Sequence, residues 1–403
     1  MSTELSYHID PFCWEFDAEI IDKKTLPDGR LGVILPKTYF YPTGGGQEHD
    51  VGTLGEARVS DVLIDDDGVV VHIVDRDLAA TQVHATIDGA RRLAFMQHHS
   101  GQHLLSQALV ETLKLDTVSA NINIDTPSTI DLETLADVDV TSAENLANQI
   151  IHRDLAIKSY FVDETQIHTV PLRRPPKVSG QIRIIEIDGF DYSACGGTHC
   201  ARTGMIGIVK ILRTERRAER LRVHFVCGQR ALEYFQNYHS IVTAVARQFD
   251  TGIESIVETI AKQREMISTL QREITELREI KLKVEAQQLV AQAETFESIQ
   301  LVTASFRNRP PQELRALASQ LQNEAGVIAL LAAYDGSKLS LTIACAPDTR
   351  ISANELIRKQ LAEIGGRGGG DARLAQGGGA ASEQQFMALF AKTKEHIRFI
   401  RSS

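Results

Sequence analysis

Two pairs of side chains, each four residues apart, carry the strongest chemical signal in this sequence: His99 and His103 in QHHSGQHLLSQAL, and Cys195 and His199 in SACGGTHCARTG. Imidazole nitrogen and thiolate sulfur are donors that zinc prefers, and four such ligands complete a tetrahedral shell. Either pair alone reads as ordinary helix histidines or a small buried thiol. Both together, with Gly196 and Gly197 inside the second, point to one metal site.

Such a site needs two positioning elements. The segment RRLAFMQHHSGQHLLSQALVETL repeats Leu93, Met96, Leu104, Ala108 and Leu109 near the helical period, so it predicts a helix with His99 and His103 on one face. The second pair follows an extended run, QIRIIEIDGFDY, where the paired glycines let the backbone bend so that Cys195 and His199 converge.

The rest of the chain reads as an α+β multidomain protein. Residues 1–90 are β-rich, with GVILPKTYFYP extended and a hairpin turning at Asp67-Gly68, and predict a small β-barrel. Residues 91–235 predict an α+β domain carrying the zinc ligands. A second helix there has a capping box of Thr141 and Glu144, and strands follow in IKSYFVDE, IRIIEID, IGIVKILR and RLRVHFVCG. Over 236–297, Ile253, Ile256, Ile260, Ile267, Leu270, Ile274, Leu277 and Val284 alternate at three and four residues, interrupted by Gln263 and Lys281. That is a coiled-coil seam, and one helix of about 55 residues would run about 80 Å. It could pack within the chain or make a dimer. Residues 298–403 predict a small α/β domain. Pro310 and Pro311 open a helix, Asp335-Gly336 turns a hairpin, and Ser352 with Glu355 and Ser382 with Gln385 cap two more helices. Between those caps lies GGRGGGDARLAQGGG, either a flexible loop or a cradle of backbone amides for phosphate.

Composition bounds the function. A chain of 403 residues suggests two to four domains. No leader pattern and no apolar run of bilayer length is present, so the expected location is cytoplasmic, with no membrane partner. Cys13, Cys195, Cys200, Cys227 and Cys345 are odd in number and scattered, giving no disulfide framework. A net charge of −10 argues against nonspecific coating of nucleic acid, although local patches decide contact. Arg213, Arg216, Arg217, Arg220 and Arg222 form one candidate patch; Arg367, Arg373, Lys392, Lys394, Arg398 and Arg401 form another.

Three segments, FYPTGGGQ (Phe40 to Gln47), HSGQH (His99 to His103) and CGGTH (Cys195 to His199), occur in the order seen in alanyl-tRNA editing domains. The chain resembles the long form of the AlaX-type editing proteins. Its stretch from Gly365 to Gly379 is similar to the C-terminal domain, C-Ala, which those proteins share with alanyl-tRNA synthetases. The likeness runs from about residue 10 to the end. It implies an aminoacyl-tRNA deacylase that hydrolyses the ester on tRNA(Ala) mischarged with serine or glycine, with Zn2+ lowering the pKa of a bound water to about 7. Four protein ligands would close such a site, so three of His99, His103, Cys195 and His199 are expected to bind tightly while the fourth yields.

By the same resemblance Thr43 and Gln47 are catalytic, recognising the serine hydroxyl. Read from the residues alone, Thr43 could equally be a turn hydroxyl bonding its own backbone. Gly44, Gly45, Gly46 and Arg222 are expected to bind substrate. Gly366, Arg367, Gly368, Gly369 and Gly370 are expected to bind tRNA, and the C-terminal half to form a possible homodimer. Only about 90 residues precede the metal helix and no G-x-x-x-x-G-K-[ST] loop occurs, so editing in trans without aminoacylation is expected. The alternatives are editing of threonyl-tRNA type, and a non-catalytic RNA-binding protein stabilised by zinc. A metalloprotease is disfavoured because the H-E-x-x-H helix is missing.

Overall fold

The computed structural model describes residues 2–296 and 298–399. Arg401 lies outside them. Contacts divide the chain once, into Met1–Gln248 and Phe249–Ser403.

In the first unit, seven strands between Glu15 and Ile87 form an antiparallel sheet. Its two outermost strands, Glu15–Glu19 and Asp22–Thr25, are successive halves of one segment that bends at Ile20 and Ile21. No ladder joins them among the described residues, so this is a sheet curled on itself through the chain and not a barrel closed by hydrogen bonds. Alternate side chains such as Val33, Leu35, Phe40, Val59 and Ala85 fill its interior.

Helix α1, Gly89–Leu113, begins where the Asp88 carboxylate accepts from the Arg91 amide and ends with Lys114 in the left-handed region. Its apolar face, Phe95, Met96, Leu104, Leu105, Ala108 and Leu109, packs on Leu221, Val223 and Phe225 of a four-stranded antiparallel sheet and on α2, Thr141–His152. The expected capping box on α2 does not form. Asp139 accepts from the Thr141 amide instead, and Glu144 is drawn away to Lys210 and the Ile211 amide. A three-stranded sheet, Ile157–Asp163, Gln181–Ile187 and Asp191–Ala194, completes the unit together with α3, Gly228–Gln248.

The single helix expected over 236–297 is corrected. The chain breaks between α3 and α4, Ile256–Ala291, where Asp250 takes a positive φ of 49° and Ile253–Ser255 forms a 3-10 turn. Asp tolerates that conformation and Gly252 follows it. α4 is still long, 36 residues, or about 54 Å.

In the second unit the last turns of α4, through Leu282, Ala286 and Leu289, pack against a six-stranded mixed sheet. Strand Ile299–Arg307 runs parallel to Val327–Tyr334 through the crossover helix α5, Pro311–Leu321. VIALLAAY is apolar throughout because both its faces are covered: Val327, Ala329 and Leu331 meet α5, while Ile328, Leu330 and Ala332 join the core of α6, Ala353–Ala362, and α7, Glu383–Phe399. Both sequence-predicted caps form. The Ser352 hydroxyl accepts from the Glu355 amide, and Ser382 and Gln385 bond each other's amides reciprocally.

The glycine-rich stretch is not a flexible loop, which corrects that alternative. Arg367–Gly370 and Leu374–Ala380 pair antiparallel as the last two strands of the sheet. A Cβ on Gly368 or Gly377 would stand 2.8 or 2.5 Å from Leu361 Cδ1, so glycine lets α6 close over the hairpin.

Candidate metal centre

The structure brings His99, His103, Cys195 and His199 together, with one donor atom from each lying within 4.8 Å of all the others. His99 and His199 turn Nε2 toward Cys195 Sγ at 3.3 and 3.4 Å. With metal–nitrogen and metal–sulfur bonds of the usual zinc lengths, a tetrahedral edge would be about 3.5 Å, so the donor set fits that ion.

Each ring is held from behind. His99 Nδ1 donates to Gln47 Oε1 at 2.7 Å, His199 Nδ1 lies 3.2 Å from Ser100 Oγ, and His103 Nδ1 faces Asp191 Oδ2 at 3.4 Å. The last is an ionic approach without hydrogen-bond geometry. Outer partners of this kind fix the tautomer and leave the inner nitrogen free to donate its lone pair. Asp191 is itself held by Arg173 Nε at 2.8 Å and by the Ser193 hydroxyl at 2.9 Å.

The electrostatics favour a thiolate. Burial pushes the Cys195 thiol up, but the rings of His99 and His199 outweigh it and hold its pKa well below the usual value. The Gly197 amide adds a hydrogen bond to Sγ at 3.4 Å. Burial, reinforced by neighbouring His99, keeps His199 well below an ordinary imidazole. His103 goes the other way: burial lowers it, yet Asp191 and Cys195 bring it up to about 9.

Three anchors hold the elements in register. Arg92, wholly buried near the start of α1, pairs with Asp50 and donates to the Pro11 and Tyr39 carbonyls at 2.7 and 2.5 Å. Asp50 in turn accepts from the Tyr41 amide at 2.6 Å, so α1 is tied to the segment that carries Gln47. Arg183 donates to the carbonyls of Cys195 and Gly197 at 3.0 and 2.8 Å and so clamps the CGGTH turn. The turn lies so close to α1 that a Cβ on Gly197 would stand 2.2 Å from His99 Cε1.

The predicted site residues divide. Gln47 is buried, with its amide spanning His99 and the Thr198 hydroxyl. The structure thus gives it the geometry of a positioning residue. Thr43 is exposed and its hydroxyl accepts from the His49 amide at 3.2 Å, which is the turn contact. Gly44 and Gln47 exchange backbone hydrogen bonds at 3.0 Å, and the Gly46 carbonyl accepts from Ile122, so Gly44, Gly45 and Gly46 abut the end of strand Thr117–Asn121. Arg222 makes a bidentate pair with Asp131 at 2.6 and 2.9 Å, on the sheet face away from α1. Among the described residues no hydrogen bond or ion pair joins it to the cluster. Arg213 and Arg217 of the same basic patch pair with Glu215. Gly366, Arg367, Gly368, Gly369 and Gly370 belong to the second unit.

Asp191, Ser100, Arg173, Arg183, Arg92 and Asp50 were missed by sequence reasoning. One signal was available: Asp191 and Ser193 alternate along the strand that leads into Cys195 and must share a face.

The cluster opens at His103 and Cys195 onto a cleft of about 500 Å³, lined also by His8, Phe161, Arg174 and Lys177. His8 Nε2 donates to the Gly196 carbonyl at 2.9 Å, and burial lowers its pKa to about 4. Among the described residues no helix is long and apolar enough to cross a membrane.

Known proteins resemble this sequence in part or over nearly its whole length. Residues 182–222 match the threonyl and alanyl tRNA synthetase second additional domain, and residues 298–398 match the DHHA1 domain. The alanine–tRNA ligase of Methanopyrus kandleri is 30% identical over 94% of this chain and 43% of its own length. The chain therefore spans less than half the length of the ligases it matches. The C-Ala domain of Aquifex aeolicus alanyl-tRNA synthetase, a solved structure, aligns with 26% of this chain and 95% of its own at 31% identity and a TM-score of 0.24. The alanyl-tRNA editing protein AlaX-L of Pyrococcus horikoshii is 30% identical over 98% of this chain and 99% of its own. The chain belongs to the AlaX-L family of alanyl-tRNA editing proteins.

Proposed function

We propose that this protein is a deacylase that hydrolyses the ester linking serine or glycine to the terminal ribose of tRNA(Ala), acting in trans and without aminoacylation, with zinc held by His99, His103, Cys195 and His199. The observation that carries the reading is a cluster whose imidazoles are braced by outer partners while its Cys195 and His103 side opens on a cleft. When bound there, zinc supplies Lewis-acid activation of water near neutral pH. Likeness to an editing protein over nearly the whole of both chains supports the same reading.

The chain's own residues have distinct tasks in this scheme. Gln47, Ser100 and Asp191 orient the rings, and the Gly197 amide and Arg183 hold the thiolate and its turn. Substrate enters on the side of His103 and Cys195, so the position that yields is one of those two. Thr43 and the glycines Gly44 to Gly46 recognise the aminoacyl group. A hydroxyl partner there favours serine over alanine, because a site built to bond a hydroxyl is penalised when none arrives. Arg222 belongs to the substrate's approach surface and not to the reacting centre.

In this reading the chain works as four parts, 1–90, 91–235, 236–297 and 298–403. The edge strand Arg367–Gly370 would contact tRNA through its arginine and its free backbone side. The exposed stripe of Ile260, Ile267, Leu270, Ile274, Leu277 and Val284 on α4 would join a second chain as a coiled coil. The place of action is the cytoplasm.

Release of labelled serine, glycine and alanine from one tRNA tests the assignment. Serine or glycine should leave at least tenfold faster than alanine, and Thr43→Val should erode the serine preference. Equal rates for the three amino acids would defeat it.

A further inference from the structure

The cleft beside the cluster has a charge at odds with the chain's. The sequence carries a net charge of −10, yet the cleft wall contributes Arg173, Arg174, Lys177 and Arg183 and no carboxylate. Arg173 is neutralised by Asp191. Arg183 is only 6% exposed, donates to carbonyls, and its Nε has no partner. Arg174 reaches the Val118 carbonyl at 3.5 Å, a weak contact, and Lys177 stands in solvent; among the described residues neither has an ion-pair partner.

An aromatic ring lines the same cleft. Phe161 lies directly opposite Arg183 on the antiparallel ladder, and Ile185 opposite Ser193, so strand alternation puts Phe161, Arg183, Ser193 and Cys195 on one face. Phe161 is 52% exposed, and its ring meets His8 edge-on at 6.1 Å. His8 is bonded in turn to Gly196, next to Cys195. One wall therefore runs from an exposed aromatic face past unneutralised cations to the cluster.

Single-stranded nucleic acid is held by this combination, with a base stacked on a ring and phosphate on basic side chains. A cleft of about 500 Å³ suits one nucleotide. We propose that it seats the 3′-terminal nucleotide of the acylated RNA, with the base on Phe161 and the phosphate between Arg174 and Lys177. The proposal rests on the hydrolytic reading given above.

The test uses the full-length protein and an uncharged short RNA ending in CCA, with binding followed by fluorescence anisotropy across a salt series. Arg174→Ala with Lys177→Ala, both on the surface, should weaken binding at least tenfold. It should also flatten the slope of log affinity against log salt by roughly 0.7 per cation removed. Phe161→Leu should weaken binding about tenfold with the slope unchanged. Hydrolysis of seryl-adenosine, an ester without phosphate, should be the same in the double variant and the parent. Unchanged RNA affinity and slope in the double variant would overturn the proposal. So would an equal loss on seryl-adenosine, or displacement of the RNA by an acidic peptide at matching charge concentration. If the parent binds the RNA and the variants do not, yet seryl-tRNA is left intact, the hydrolytic reading fails and the nucleotide seat stands.

Discussion

The N-terminal unit buries His72, Arg92, His98, His99, His103, Arg183 and Asp191, whereas the buried polar residues described in the C-terminal unit are Thr342, Thr349, Gln360 and Thr393, none of them ionisable. The first unit carries the desolvation cost of ionisable groups and meets it with partners at nearly every atom. The second is an ordinary two-faced α/β core whose distinctive residues, the glycines of its edge hairpin, lie at the surface. Positions fixed by buried polar contacts suit chemistry, and a plain core under an exposed edge suits recognition. Changes to the first unit should therefore alter metal, rate and pH response, and changes to the second should alter stability in ordinary increments.

The largest effect is expected at the cluster. Cys195→Ala should lower deacylation at least a thousandfold and leave less than stoichiometric metal by elemental analysis, while the unfolding transition of the C-terminal unit stays in place. Loss of that transition as well would collapse the distinction between the units.

Acid should separate them next. His72 is buried neutral, with Nδ1 donating to the Val33 carbonyl and Nε2 beside the Thr38 hydroxyl; His98 is buried between the Ala94 carbonyl and the Cys227 amide. Burial lowers both to about 4 from the ordinary 6.5. Between those values the unfolded chain binds more protons than the folded one, so stability falls as pH falls. The contribution is complete above pH 6.5 and is lost progressively toward pH 4, roughly 3 kcal/mol per ring. Urea unfolding at pH 7 and pH 5 should show the N-terminal unit weakening. In ring-shift titrations by NMR both histidines should remain neutral at pH 5.

Gln47→Ala removes the acceptor behind His99 and should cost ten- to a hundredfold in metal affinity, read by chelator competition. An equal loss of serine selectivity with metal affinity unchanged would return Gln47 to the substrate. The smallest effect is on the other side of the comparison: Ser382→Ala breaks the reciprocal cap of α7 and should cost the C-terminal unit about 1 kcal/mol, with no change in metal content.

What the sequence made legible follows from locality. The ligands sit at helical spacing or around a glycine bend, and the caps at Ser352 and Ser382 are decided within four residues, so both could be read from the chain. The break before α4 turns on the left-handed Asp250, which a hydrophobic repeat passes over. The partners behind the ligands come from distant segments. Gln47 stands 52 positions from His99, and Asp50 is 42 from Arg92. No periodicity reports such meetings. The glycine stretch read as a loop because nothing local announces that a helix, through Leu361, would press it into a hairpin.

The most direct test of the account is release of labelled serine from seryl-tRNA by protein stripped of metal with a chelator, checked by elemental analysis, and then supplied with one equivalent of zinc. The account predicts that hydrolysis is lost on stripping and returns with zinc, while the fold as seen by circular dichroism persists in both states. Full hydrolysis by metal-free protein would contradict it.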